Sequence, residues 1–363
     1  MKPLKQLPIL RLPFRAMEEV SKGMHSIIKM ISDRRKKTFP ILRLPFLAIE
    51  EIFKVMDPIE IINLSMTSKR AKAVTEKMTF YSKYSVQLCV DKTMGITILG
   101  TNNLVSCLYL MTSYKQKLEK TVEEERDGFI FRKVFKYSKD PVDEWKQLCK
   151  YVLEIFNKET IDVLTVFIDV FVDQNVSIID FLKTNVKSVN DCNVYQWEDE
   201  NDVDEHAADL LANITVANEL NFHLHIKNDN FDGKIPKNLR ELFIKHAEWI
   251  EYEKLLEIDS VQVIIGTHQI SNKEWNSFFK KWIAMETHLY LELLAFDFKP
   301  IEEFRALVLY DIPHEVVDEG VKRTLITYRD EKTEINGGID IRRIDGKTAT
   351  FIAHSNSFSM SVQ

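Results

Sequence analysis

The sequence predicts an α+β protein in which a short unit of three helices precedes a larger α/β region with a mostly parallel sheet. Apolar residues follow helical spacing between about residues 44 and 78. From about residue 140 onward, short apolar runs typical of buried strands alternate with amphipathic helical patterns. The chain has 363 residues, of which 45% are hydrophobic and 29% are charged. It is therefore long enough to form two or more cores.

Composition and charge exclude several classes of function. The net charge of -6 argues against a nucleic-acid-binding surface, because affinity for phosphates comes from Lys and Arg. The longest strongly apolar run, residues 163–172, is shorter than the roughly 20 residues that a membrane-spanning helix needs. The N-terminus has no uninterrupted apolar stretch of the signal-peptide kind. We therefore expect no nucleic acid, no membrane span and a location inside the cell, in the cytoplasm.

The sequence contains no pattern that indicates catalysis or metal binding. No G-x-G-x-x-G, H-E-x-x-H or G-x-S-x-G motif occurs. His223 and His225 alternate with apolar neighbours, which indicates the polar side of a strand rather than a ligand pair. We therefore predict no catalytic residue, no metal and no cofactor. The four cysteines lie far apart, which favours reduced and partly buried thiols; they are Cys89, Cys107, Cys149 and Cys192.

An internal duplication marks the beginning of the chain. Residues 7–20 and 39–52 align with ten of fourteen positions identical. Only the second copy continues into an Asp-Pro step, at Asp57, so the first copy is interpreted as a degenerate duplicate. A basic run, Arg34 to Lys37, separates the copies. Such a run is more often a solvated linker, although it could also act as a nuclear localisation patch, which would add the nucleus to the expected locations.

The second copy predicts three short helices. Pro45 suits the first turn of a helix, and the apolar residues that follow share one helical face: Ile49, Ile52, Phe53 and Met56. Asp57 and Glu60 predict a capping box for a second helix, which contains Ile61 and Leu64. Ser68 can cap a third helix, whose predicted apolar stripe is Ala71, Val74 and Met78. A unit this small rarely buries enough surface to be stable alone, so we expect a partner protein.

These residues resemble an F-box. The resemblance rests on Leu44-Pro45-Phe46, on Asp57-Pro58 and on Ser68-Lys69-Arg70, with the apolar helix residues between them. Ala71 stands where the family often has an aromatic residue. In the family, such helices insert into a small Skp adaptor that bridges to a cullin scaffold. The resemblance implies that the adaptor contact is carried by Leu44, Pro45, Ile52, Phe53, Met56, Ile61 and Leu64. The alternative is that these side chains only form the core of the unit or pack on the region that follows.

The pattern of apolar residues in the downstream region predicts repeated units of a strand followed by a helix. A helix at Ser271 to Met285 begins with a capping box, and a hairpin with a two-residue turn at Asp345-Gly346 is expected within Ile339 to Ile352. Spacings of 20 to 30 residues between strand centres suggest a curved solenoid like that of leucine-rich repeats; an irregular open sheet is the alternative. The strand centres are Val194, Phe222, Phe243, Val263 and Leu291, after a buried strand at 163–168.

Residues 239–298 resemble the type 2 F-box-associated domain of large nematode families. The predicted division is therefore a degenerate duplicate and linker at 1–38, an F-box at 39–80 and an α/β substrate-recognition region at 81–363. This organisation implies a non-catalytic subunit of a ubiquitin ligase that holds an unknown target protein. The alternatives are a protein-interaction scaffold whose helices cap a solenoid and, less favoured, an α/β enzyme.

Overall fold

The computed structural model describes residues 41–79, 84–100, 105–114, 120–126, 129–228, 231–297, 300–326, 331–353 and 357–363. The chain divides into two compact units, Met1–Ser82 and Lys83–Gln363. The predicted duplicate at 7–20 and the basic run at 34–37 lie outside the described residues.

The first unit contains the three predicted helices. A short 3-10 turn at Ile41–Arg43 precedes them. The side chain of Arg70 donates to the carbonyl of Leu42 at 3.0 Å and so ties this turn to the third helix. The helices are α1 (Phe46–Val55), α2 (Pro58–Ser65) and α3 (Lys69–Thr79).

The predicted caps of α2 and α3 are confirmed. The Asp57 carboxylate accepts from the backbone N–H of Glu60 at 2.9 Å, and the Glu60 carboxylate accepts from the backbone N–H of Asp57 at 3.1 Å. The Ser68 hydroxyl accepts from the N–H of Ala71 at 3.1 Å. These bonds satisfy N–H groups that a helix start leaves without intrahelical partners.

The core of the first unit combines residues from all three helices. Helix α3 contacts both α1 and α2. The buried stripe of α3 is Ala71, Thr75 and Thr79, so the prediction of Val74 and Met78 as its core positions is wrong. Ala71, Thr75 and Thr79 recur at four-residue steps on the buried side of the helix, whereas Val74 and Met78 are half-buried. The other buried core side chains are Ile49, Phe53, Ile61 and Ile62.

The second unit is built on one sheet. Within the described residues it has fifteen strands, in the order β12-β13-β14-β15-β11-β10-β9-β8-β7-β6-β1-β2-β3-β5-β4. The first strands are β1 (Ser85–Val90), β2 (Met94–Leu99), β3 (Val105–Thr112), β4 (Lys120–Arg126) and β5 (Phe129–Tyr137). The central strands are β6 (Thr160–Phe167), β7 (Ser188–Tyr195), β8 (Val216–Phe222), β9 (Leu239–His246), β10 (Ser260–Thr267) and β11 (Leu293–Asp297). The last strands are β12 (His314–Ile326), β13 (Lys332–Arg342), β14 (Thr348–Ala353) and β15 (Ser357–Val362).

The sheet is mixed rather than mostly parallel. Strands β1 and β6 to β11 form a continuous parallel run, and β3 pairs parallel with β5. The other neighbouring pairs are antiparallel, and they flank the parallel run on both sides. The sequence predicted one of these antiparallel pairs, the hairpin of β13 with β14, and missed the others. The predicted strand centre at Leu291 lies two residues before β11.

The helices of the second unit pack on one face of the sheet. Strands β6 to β11 are neighbours in chain order, so right-handed crossovers place the connecting helices on the same side. The facing row of the sheet is almost fully buried: Leu88, Leu164, Cys192, Leu220, Leu242, Val263 and Leu294. The helices are α4 (Pro141–Ile155), α5 (Asn175–Asn185), α6 (Asp204–Asn213), α7 (Tyr252–Glu257), α8 (Asn272–Ile283) and α9 (Ile301–Leu307).

Two helices of the second unit have side-chain caps and buried apolar stripes. Asp140 caps α4, where its carboxylate accepts from the N–H of Asp143 at 3.0 Å. Ser271 and Glu274 form the predicted capping box of α8. The buried stripe of α4 is Trp145, Leu148, Cys149, Val152 and Phe156, and that of α8 is Trp275, Phe278, Phe279 and Trp282. The ring of Trp275 stacks on Phe296 of β11 with centroids 4.5 Å apart, which anchors α8 to the sheet.

The predicted hairpin forms between β13 and β14, with a different turn. Arg343 and Lys347 pair through a 2.9 Å bond, and the N–H of Gly346 donates to the carbonyl of Arg343 at 2.9 Å. Gly346 has φ +94°, so the loop has three residues and ends in a left-handed glycine. The expected two-residue turn is wrong. The Asp345 carboxylate accepts from the Arg343 guanidinium at 2.7 Å and fixes the longer loop.

Candidate partner-binding surfaces

The three-helix unit presents apolar side chains to solvent. Phe46 is 61% exposed and Leu47 is 72% exposed, both in the first turn of α1. Val55 ends the same helix, and Met66 follows α2; both are also exposed. Exposed large apolar groups concentrated on one small unit are typical of a surface that binds another protein.

The residues predicted to contact an adaptor fall into two groups. Pro45 is exposed and lies beside exposed Phe46, while four of the predicted residues are half-buried: Leu44, Ile52, Met56 and Leu64. Phe53 and Ile61 are buried in the core of the unit. Phe53 and Ile61 therefore hold the helices together. The exposed and half-buried residues of the set remain available at the surface.

Sequence reasoning missed Phe46 and Leu47 as candidate contact residues. Both precede the buried stripe of α1, which begins at Ile49 and returns at Phe53. Leu47 lies two residues before Ile49, on a different side of the helix from that stripe. An apolar residue outside the predicted buried face was the signal that could have identified it.

The second unit presents another candidate surface on the face of the sheet opposite the helices, which we call the open face. Aromatic rings from neighbouring strands stack there in a row. Phe167 stacks on Tyr195 with centroids 5.2 Å apart. Tyr195 lies 4.6 Å from the ring of His223, which in turn stacks on Phe243 at 4.8 Å. These separations match the roughly 4.8 Å spacing of neighbouring strands, so the rings form a continuous aromatic ridge across β6 to β9.

Trp197 ends this ridge and is held firmly although it is 50% exposed. Its ring stacks on Phe167 at 5.0 Å, and its indole N–H donates to the Asp91 carboxylate at 3.0 Å. Its backbone N–H donates to Asp169 at 2.9 Å. The Lys92 ammonium lies 4.5 Å from the ring centroid. An exposed tryptophan ordered by this many contacts loses little conformational freedom when it binds a partner.

The charged groups of the open face are predominantly carboxylates. Burial alone would raise the pKa of Asp169, but hydrogen bonds from the backbones of Trp197 and Glu198 and from the Asn201 amide outweigh it and lower the pKa. Asp169 therefore stays anionic. Burial, together with the charge of Lys245, lowers the pKa of His223, which stays neutral near pH 7.

Three acidic side chains lie in one row on the side of the sheet away from the helices, on adjacent strands, and Glu241 among them is buried. Asp191 of β7 is in register with Glu219 of β8, and Glu219 with Glu241 of β9. Asn193 and Asn221 lie between this row and the aromatic ridge, and the Asn221 amide donates to the Asn193 carbonyl at 2.9 Å. On the far side of the ridge, an exposed acidic loop follows Trp197: Glu198, Asp199, Glu200 and Asp202.

The described residues contain no cluster of three or more His, Cys, Asp or Glu side chains that could hold a metal ion. The four cysteines are free thiols, as predicted. Burial raises the pKa of the Cys89 thiol to about 11 and that of the Cys192 thiol to about 12. These thiols are therefore protonated near pH 7 and are weak nucleophiles. Over the described part of the chain, the helices fall short of the length and apolar character that crossing a bilayer requires.

Comparison with known families agrees with this organisation. A family model of the F-box domain matches residues 41–83. The chain therefore carries an F-box, formed by α1 to α3. A family model described as F-box associated, of type FBA_2, matches residues 230–296, which include β9, β10 and all but the last residue of β11. The chain thus joins an F-box to an F-box-associated domain, as the sequence predicted.

One curated relative extends the comparison. An uncharacterised protein of Caenorhabditis elegans is 25% identical over 126 residues, which cover 34% of this chain and 29% of that protein. The match therefore spans less than a third of the relative's length. No solved structure matches the chain.

Proposed function

We propose that this protein is the substrate-recognition subunit of a Skp-cullin-F-box ubiquitin ligase. Helices α1 to α3 dock on a Skp-family adaptor, which connects the chain to a cullin scaffold. The α/β region, acting like a repeat solenoid, holds a target protein. The subunit is non-catalytic and needs no cofactor: it accelerates ubiquitin transfer by bringing the target close to the enzyme that carries ubiquitin. This role places it inside the cell, in the cytoplasm and, if the basic run at 34–37 directs import, in the nucleus.

The apolar surface of the three-helix unit, in a segment that matches the F-box family, carries this proposal. Covering a large apolar side chain contributes about 1.5 to 3 kcal/mol, so several such groups together offset much of the cost of association. The adaptor-contact residues we propose are Leu44, Pro45, Ile52, Phe53, Met56, Ile61 and Leu64, with Phe46 and Leu47 added from the structure. Within this set, Phe53 and Ile61 are buried, and they act by holding the helices that carry the surface residues in place.

Capture of purified Skp adaptor by the full chain tests the proposal. Replacing the Leu44-Pro45 step with alanines should reduce adaptor capture at least tenfold, because the apolar contact at the start of α1 is lost. Leu47→Ala should reduce it several-fold. Leu47 is 72% exposed and Ile344, in the second unit, is also 72% exposed, so Ile344→Ala is a matched control that should bind adaptor normally.

Circular dichroism distinguishes loss of contact from loss of folding. Leu47 is largely outside the core, so its variant should keep the helical signal of the parent. If both the double variant and Leu47→Ala capture as much adaptor as the parent chain, the proposed docking surface is wrong. If the parent chain captures no adaptor, the ligase assignment itself is wrong.

A further inference from the structure

We propose that Arg70 is a positioning residue for adaptor docking: it holds the Leu44-Pro45 step in the conformation in which the step meets the adaptor. The inference rests on the proposed function in taking that step to be an adaptor contact. Arg70 itself belongs to a different helix, α3, and lies 28 positions after Leu42 in the chain.

The Leu44-Pro45 step enters α1 without a side-chain cap. Pro45 occupies the N-cap position, where its ring cannot accept a hydrogen bond from the first turn of the helix. The turn before it is closed by a backbone bond from the N–H of Leu44 to the carbonyl of Ile41, at 3.1 Å. A short 3-10 turn has poorer hydrogen-bond geometry than an α-helix, so it holds its shape weakly. The orientation of the step therefore depends on contacts from elsewhere in the unit.

Arg70 provides such a contact. Its Nη2 donates to the carbonyl oxygen of Leu42 at 3.0 Å, within the 3-10 turn and two residues before Leu44. A charged donor makes a hydrogen bond roughly twice as strong as a neutral one. Because the peptide group is planar, holding the Leu42 carbonyl limits the directions in which the chain can continue into Leu44 and Pro45.

The place of Arg70 on its own helix indicates a role beyond that helix. The first turn of α3 contains Lys69 and Arg70 and no acidic residue. A positive charge there is unfavourable, because the N-terminus of a helix carries the positive end of the macrodipole. Arg70 is also exposed, so it does not fill the core. The hydrogen bond to Leu42 offsets this local cost.

Preorganisation links this hydrogen bond to adaptor affinity. Leu44 is half-buried and Pro45 is exposed, like the apolar residues that follow in the first turn of α1. Without Arg70 the adaptor must order the 3-10 turn on binding, and ordering the backbone of one residue costs about a factor of five or more in affinity. Loss of Arg70 should therefore weaken docking although the side chains that meet the adaptor are unchanged.

Two matched variants of the full chain test the inference. Arg70→Gln removes the guanidinium donors, and Lys69→Gln makes the same change of charge one residue earlier. Both remove a positive charge from the first turn of α3, so neither should weaken that helix. Titration measures the affinity for purified Skp adaptor, and amide hydrogen exchange is measured on the chain alone. In Arg70→Gln, the Leu44 N–H should exchange faster and the affinity should fall about fivefold, whereas Lys69→Gln should show neither effect.

A double-mutant cycle separates positioning from direct contact. In the Leu44→Ala, Pro45→Ala background, Arg70→Gln should change the adaptor affinity less than about twofold, because the step that it positions has been removed. The same loss in that background as in the parent would mean that Arg70 contacts the adaptor itself, and it would overturn the inference.

Exchange of the amides of buried Phe53 and Ile61 reports whether the unit stays folded. If these amides exchange as fast as the Leu44 N–H in Arg70→Gln, Arg70 is needed for folding and the inference is wrong.

Two further results would also overturn the inference: equal effects of Arg70→Gln and Lys69→Gln on affinity, which would reduce Arg70 to its charge, and an unchanged exchange rate at Leu44. Failure of the parent chain to bind the adaptor counts against the ligase role. Exchange in the chain alone still decides in that case whether Arg70 holds the turn, so the two failures are distinguishable.

Discussion

A buried histidine should make the second unit lose stability in mild acid. His288 is 6% exposed and packs with the edge of its ring near Phe278, with centroids 4.9 Å apart. Its Nδ1 lies 2.7 Å from the Thr287 hydroxyl, and its Nε2 has no hydrogen-bond partner within the described residues. Burial lowers its pKa to about 4 from the usual 6.5. The neutral form is therefore the one that the fold accommodates.

The sign and size of the change in unfolding free energy follow from the linkage between protonation and folding. The folded-state pKa lies below the unfolded one, so the unfolded state binds the proton more tightly. The stability that depends on neutral His288 is fully present above about pH 6.5 and is lost as the pH falls toward about 4. Between about pH 7.5 and about pH 5, this one group removes about 2 kcal/mol, since each unit of pKa difference corresponds to about 1.4 kcal/mol.

Urea unfolding at the two pH values, followed by the fluorescence of buried Trp275 and Trp282, measures the effect. His288→Asn provides the matched comparison, because His288 has φ +49° and asparagine tolerates this left-handed conformation without titrating. The variant should be less stable than the parent near pH 7.5, and the difference should shrink by about 2 kcal/mol near pH 5. A constant difference at both pH values would refute the reasoning.

Three further predictions concern single contacts. Asp57→Ala removes the cap of α2 and should cost about 1 kcal/mol, seen as faster amide exchange in the first unit and as weaker adaptor capture that excess adaptor restores; unchanged exchange would contradict it. Gly266→Ala would place its Cβ 2.1 Å from the Lys245 carbonyl oxygen, so the urea midpoint should fall by at least the equivalent of about 1 kcal/mol, and an unaltered midpoint would show that the strands adjust freely. Asn276→Ala deprives the buried Val308 carbonyl of its 2.7 Å bond and should cost about 1 to 3 kcal/mol, measured as a lower melting temperature; an equal melting temperature would mean that the carbonyl finds another donor.

Local signals in the sequence were sufficient to predict the three helices of the first unit and the helix α8, with the caps of α2, α3 and α8. Asp57, Ser68 and Ser271 were each identified from a short polar pattern, because a cap depends on residues only three positions apart. The aromatic stripe of α8 consists of four large rings at helical spacing, which leave little choice of buried face. The α3 stripe was wrong because threonine methyl groups can line a core, and hydrophobicity ranking does not favour them.

The arrangement of the strands was harder to predict from the sequence. The order of β6 to β11 could be anticipated from regular strand-helix spacing, and the β13-β14 hairpin from its turn residues. The antiparallel pairing of β11 with β15 could not be anticipated, because pairing between distant segments leaves no local pattern. The aromatic ridge was missed for the same reason. Phe167 and Tyr195 lie 28 positions apart in the chain and become neighbours only through the register of β6 with β7. His223 was correctly assigned to the polar side of its strand, without its stacking partners.

The stepwise order of β6 to β11 has an evolutionary consequence. Each strand-helix module rests mainly on the module before it and the module after it, and the two antiparallel ends never need to meet. A gene that gained or lost one module would keep both ends intact and would widen or narrow the sheet by about 4.8 Å. Under the proposed function, duplication of a few dozen codons would therefore change the width of the target-binding sheet without altering the three-helix unit.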